Sequence, residues 1–140
     1  MADKLEELPI HDRALEFCRA VTAILQRPAV RNDCDLWEQI NKANDSILAN
    51  MSEGFEQSTD AHFANYLYIA KGSLAEVLTR LKQAEEKKHI TGSDRRPLKK
   101  QGEELGRMLG GFIRYLGRSG FKNRGRHNGK QGGSQGSGID

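Results

Sequence analysis

The chain has only two cysteines, Cys18 and Cys34, too few and too unpatterned for a disulfide framework. No Cys-x-x-Cys or Cys/His spacing assembles a zinc site. Aromatic residues make up only 6% of the sequence, which disfavours an all-β fold, where aromatic and β-branched side chains fill the sheet faces. No uncharged apolar run approaches the roughly 18 residues a membrane-spanning helix needs. The opening stretch MADKLEELPIHDR lacks the basic and apolar regions of a secretion signal. A cytoplasmic protein with no membrane contact is expected.

Catalytic patterns are also scarce. The histidines form no His-Glu-x-x-His, and no glycine-rich phosphate loop follows a strand. Glu86-x-x-His89 matches half of a di-iron carboxylate pattern, but that pattern needs two such pairs and two further carboxylates, and only one pair is here, beside Lys87 and Lys88. Cys18 sits on an apolar stripe and reads as a small core residue rather than a nucleophile. The expectation is a non-enzyme without metal or cofactor.

What the sequence does contain is helical periodicity. Its 140 residues suit a single domain, with 36% hydrophobic and 29% charged residues. Ile10, Ala14, Phe17, Val21 and Ile24, spaced by threes and fours, predict a helix from Pro9 that stops at Pro28. The segment RPAVRNDCD reads as a loop, with Asp33 or Asp35 capping the next helix. Leu36, Ile40, Ala43, Ile47, Asn50 and Gly54 predict a second helix over about 35–53, which Gly54 ends in the left-handed conformation. A third, opened by Ser58 or Thr59, runs over about 59–88 through Phe63, Leu67, Ala70, Leu74, Val77 and Leu81. A fourth, capped by Asp94, carries Leu98, Leu105, Met108, Leu109, Phe112, Ile113 and Leu116. Short connections between amphipathic helices predict an all-α, up-down antiparallel four-helix bundle over 9–116, preceded by a flexible N-terminus at 1–8.

From Gly117 the composition changes. Residues 117–140 hold eight of the 15 glycines and almost no apolar residues, so a disordered Gly/Arg-rich tail is expected. The tail carries Arg118, Lys122, Arg124, Arg126 and Lys130 against Asp140 alone. The chain's net charge is +3, so all of its positive excess lies there.

Three constellations bear on function. Ser46, Asn50 and Glu53 form a polar ridge along one helix face. If the hairpin folds about residue 56, Asn50 lies level with His62 and Ser46 with Tyr66. The ridge is either a hydrogen-bond network that fixes helix register or a contact for a ligand or second subunit. Gly102, Gly106 and Gly110 make a ladder at four-residue intervals, serving close packing within the bundle or between subunits. Lys100, Arg107, Arg114 and Arg118 line one face of the last helix, interrupted by Glu103 and Glu104. Such a stripe is either a solvated face or, continued through Lys122, Arg124 and Arg126, the electrostatic footprint of an RNA-binding protein, with Phe121 and His127 available for stacking.

Ser46, Ile47, Asn50, Glu53 and Gly54, followed in the next helix by Leu67, Tyr68, Ile69, Ala70, Gly72, Ser73 and Glu76, carry a resemblance. They resemble the paired motifs S-I-x-x-N-I-A-E-G and L-Y-I-A-x-G-S-x-x-E of the four-helix bundle proteins encoded in intervening sequences of bacterial 23S ribosomal RNA. Met51 and Ser52 depart from the first motif. The resemblance covers about residues 8–117 and implies a ring-like homo-oligomer, pentameric in members of this kind, that associates with RNA or RNA-DNA. The related accessory proteins of diversity-generating retroelements imply an alternative: a scaffold that pairs with a reverse transcriptase.

Overall fold

Helical spacing of the apolar residues is realised as five α-helices, with no strand among the described residues. The structure, a computed structural model, describes residues 4–119. The helices are α1 (Pro9–Leu25), α2 (Pro28–Arg31), α3 (Cys34–Phe55), α4 (Asp60–Glu86) and α5 (Gly92–Ser119). Within the segment expected to be a flexible N-terminus, Leu5–Glu7 form a 3-10 turn whose Leu5 is buried.

The stretch expected to be a loop after α1 contains α2. Proline at its first position lacks only an N–H that a first turn leaves unbonded anyway, and Val30 is fully buried. Side chains cap the next two helices. Asp33 Oδ1 accepts from Leu36 N–H at 3.4 Å, and Thr59 Oγ1 accepts from His62 N–H at 3.2 Å. At the start of α5 the cap is Thr91 rather than Asp94. Thr91 Oγ1 accepts from Asp94 N–H at 3.1 Å and Asp94 Oδ2 accepts from Thr91 N–H at 2.9 Å, a reciprocal capping box.

Gly54 does not terminate its helix. It lies inside α3, which continues to Phe55. Its role is close approach, since a Cβ there would lie 2.8 Å from Tyr66 Cβ and 2.9 Å from Phe63 Cδ1. The left-handed cap belongs instead to the end of α4, at Lys88, with φ of 66°. Around it Lys88 N–H bonds Glu85 O at 2.8 Å and His89 N–H bonds Ala84 O at 2.9 Å, satisfying carbonyls that the helix end leaves open.

Each long helix packs against two others, α1 against α3 and α5, and α4 against α3 and α5. Fully buried side chains from all four, among them Phe17, Ile40, Phe63 and Leu109, form one core. Burial of about 25 cal/mol per Å² of apolar surface is the main force holding the helices together. At one end of the core Phe63 lies edge-on to both Phe55 (5.9 Å) and Phe112 (5.3 Å).

Candidate nucleic-acid interface and the α3/α4 groove

Four basic residues of α5 form a crest along one face. Helical geometry places Lys100, Arg107, Arg114 and Arg118 within about 40° of one another around the axis and spreads them over about 27 Å. All four are exposed and none is paired with a carboxylate among the described residues. The two interrupting acids are each held from the side. Glu103 pairs with Lys99 at 3.3 Å and Glu104 with Arg13 of α1 at 3.4 Å. Neither acid forms an ion pair with a crest cation. Lys122, Arg124 and Arg126 lie outside the described residues.

The glycine ladder divides by position. Gly102 is buried, and a Cβ there would lie 2.7 Å from Leu78 Cδ2 and 3.1 Å from Phe17 Cε1, so this glycine serves packing between α5, α4 and α1. At Gly106 the nearest atom, Leu74 Cδ2, would stand at an ordinary 3.6 Å. Gly110 lies between two cations, with Arg114 Nη1 at 3.6 Å and Lys71 Cε at 3.7 Å from the position a Cβ would take. Lys71, on α4, thus joins the α5 crest, a neighbour that sequence spacing within one helix does not reveal.

On the other flank of α4 a groove of about 530 Å³ runs along α3, lined by Lys42, Ser46, Ile69, Gly72, Ser73 and Glu76, among others. Here the polar ridge departs from expectation. Asn50 is off the buried seam, and its Nδ2 donates to Ser46 O and Ser46 Oγ, both at 2.8 Å, within its own helix. The link between helices is Ser73 Oγ to Ser46 Oγ, at 2.7 Å. The pairing of α3 with α4 is therefore centred between Thr59 and Asp60, not on residue 56, although the connection itself spans 56–59. Ser46 meets Ser73 and not Tyr66. Glu53 is exposed, and Glu76 pairs with Arg80 at 3.2 Å. Gly72 is exposed with nothing within 4 Å of a Cβ there, and Ile69 is 50% exposed.

The buried seam amide is Asn44, which spacing from Ile40 and Ile47 places on the apolar stripe as well as it places Ala43. Its Nδ2 donates to Cys18 O at 3.1 Å and to Thr22 Oγ1 at 3.4 Å. Burial, with the Asp45 charge adding to it, pushes the Cys18 thiol up to about 12, so it stays protonated and unreactive at neutral pH. At the opposite end from the aromatic cluster, Asp33 bonds Lys87 and His89, both at 2.9 Å, Arg27 grips Asp94 at 2.8 and 3.2 Å, and Arg95 pairs with Glu85. His89, half of the Glu86-x-x-His89 pair, is thus engaged by a carboxylate of the α2–α3 turn.

Among the described residues no helix is long and apolar enough to cross a membrane. Comparison with curated proteins finds no match. Residues 6–111, most of the chain and all four long helices in whole or large part, match the family described as 23S rRNA-intervening sequence protein. The residues of the two motifs now have distinct places: Ile47, Leu67 and Ala70 in the core, Gly54 at the α3–α4 crossing, and Ser46, Gly72, Ser73 and Glu76 along the outer groove. The chain belongs to the 23S rRNA-intervening sequence protein family.

Proposed function

We propose that this protein is a non-enzymatic, cytoplasmic, oligomeric four-helix bundle that binds RNA or RNA-DNA through the α5 crest and the basic tail. The observation that carries the reading is the row Lys100, Arg107, Arg114 and Arg118, unpaired among the described residues, whose two interrupting glutamates are held by Lys99 and Arg13. Cations in such a row displace counterions from phosphates, giving affinity without sequence readout. The up-down antiparallel arrangement is supported by the registers. Ser46 lies at Ser73, Gly106 at Leu74, and Arg13 and Arg27 lie at Glu104 and Asp94.

Self-association, pentameric by family resemblance, is supported by the α3/α4 groove. Half-exposed Ile69 and the bare backbone at Gly72 give a second copy an apolar contact and room to approach. The same surface supports the second reading, a scaffold for a protein such as a reverse transcriptase.

The test is binding of a structured RNA across a salt series, comparing the full chain with a variant carrying Lys100, Arg107 and Arg114→Gln and one carrying Lys122, Arg124 and Arg126→Gln. The expected result is a steep loss of affinity with salt, with the slope in log salt reduced by about three for each variant. Absence of binding at low salt overturns the reading in favour of the protein-scaffold role. For assembly, Gly72→Arg is expected to lower the subunit count while leaving the helical content unchanged.

A further inference from the structure

We infer that Tyr68, flanked by Lys71 of α4 and Arg114 of α5, is a stacking platform for an unpaired nucleotide, with the two cations holding its phosphates. The inference rests on the nucleic-acid reading above and names which form of nucleic acid the site takes. Of the chain's nine aromatics, Phe17 and Phe63 are fully buried, Phe55 and Phe112 pack in the cluster at the core's end, and Tyr115 is 38% exposed. Tyr68 stands out furthest, 60% exposed, the most exposed large apolar side chain among the described residues.

Position separates it from the α3/α4 groove. Residues three apart on a helix are surface neighbours, so Tyr68 and Lys71 share a flank of α4. That flank faces α5, because Lys71 Cε reaches the side of Gly110. Ile69 and Ser73 line the other flank, toward α3. The antiparallel register, Gly106 at Leu74 and Gly110 at Lys71, brings Tyr68 level with residues 112 and 113 of α5, and the Arg114 guanidinium lies alongside Gly110 and Gly111, on the Lys71 side of that level. Neither Lys71 nor Arg114 is paired with a carboxylate among the described residues.

The surroundings also leave room. Beyond Gly110, Gly117 has nothing within 4 Å of a Cβ, and Gly111 meets only Arg114. An exposed ring beside an open, glycine-lined and positively charged surface is the combination that holds single strands, where the base face stacks on the ring and the backbone follows the cations. Paired bases are already stacked on one another, so a duplex gains the cations but not the ring.

The test uses the full chain with three probes: an unstructured uridine oligonucleotide, its thymidine equivalent and a blunt RNA duplex. Stacking on one aromatic residue predicts that Tyr68→Ala weakens binding of the unpaired strands by about tenfold with the salt slope unchanged, and leaves duplex binding as it was. Tyr68→Phe keeps the ring and should bind as the parent does. Lys71→Gln and Arg114→Gln should each lower the slope by about 0.7 on single strands. A difference between the uridine and thymidine probes assigns the occupant to RNA or DNA. Equal loss on duplex and single strand, or no loss on either, overturns the platform while leaving the nucleic-acid reading standing. No binding of any probe by the parent chain removes both. A changed subunit count in Tyr68→Ala, read by light scattering, would make Tyr68 a contact between copies and likewise overturn the inference.

Discussion

Asn44 and Cys18 are joined reciprocally across the α1–α3 interface. The Asn44 amide donates to the Cys18 carbonyl at 3.1 Å, and the Cys18 thiol reaches the Asn44 carbonyl at 3.7 Å. Each side chain bonds the other's backbone, so the pair fixes the height of α1 against α3. Thr22 Oγ1 also donates to the Cys18 carbonyl, at 2.9 Å.

Removing the amide should therefore be costly. Asn44→Ala removes both side-chain hydrogen bonds from α3 to α1, while Thr22 Oγ1 still bonds the Cys18 carbonyl, and a loss of about 1 to 2 kcal/mol is expected. Urea unfolding followed by circular dichroism measures it. Asn50→Ala serves as the comparison, with a smaller loss, because the Asn50 amide bonds its own helix while the Ser46–Ser73 bond remains.

Two glycines of similar appearance in sequence should respond in opposite directions. Gly54→Ala forces a methyl to within 2.8 Å of Tyr66 Cβ, an atom fixed to the α4 backbone, so it should destabilise. Gly106→Ala meets only an ordinary 3.6 Å contact and gains helix propensity, so it should stabilise by up to about 1 kcal/mol. Thermal melts of the two variants give the signs directly.

Lys88 holds a left-handed conformation that a side chain with a Cβ disfavours by roughly 1 to 2 kcal/mol. Glycine removes that cost but adds unfolded-chain entropy. Lys88→Gly should thus raise stability by up to about 1 kcal/mol, and an unchanged or lowered melting temperature would show that the α4 cap carries no strain.

The acidic clasp should make stability depend on pH at the low end. Hydrogen bonds first from Lys87 and then from His89 hold the Asp33 carboxyl down to about 2, and Arg27 holds Asp94 well below the usual carboxylate range. A depressed carboxylate stabilises the fold at pH above its ordinary value and loses that contribution as pH falls through the folded one. Asp33→Asn should be less stable than the parent at pH 7, and the gap should close between about pH 4 and pH 2. Denaturant midpoints at pH 7, 4 and 2 check this.

Nearly all of the helical content was legible in the sequence, because apolar spacing of three and four survives any packing arrangement. The caps were legible as pairs of candidates, Asp33 or Asp35 and Ser58 or Thr59, and the structure chose Asp33 and Thr59. The basic crest needed only the period of the helix. What the pattern did not resolve was α2, whose single apolar anchor Val30 is too little to make a stripe, and the choice between Asn44 and Asn50, because both lie within one residue of the seam.

The sequence by itself determined which stretches are helices, which faces are apolar and where the charge lies, all properties of residues within a few positions of one another. Only the tertiary structure decided that the α3–α4 register is centred between Thr59 and Asp60, that Gly54 serves a crossing and not a cap, and that Lys71 stands beside the α5 crest. Those depend on how far one helix slides along another, and that height is set by contacts between distant residues, such as Ser46 with Ser73 and Asn44 with Cys18, that no local spacing encodes.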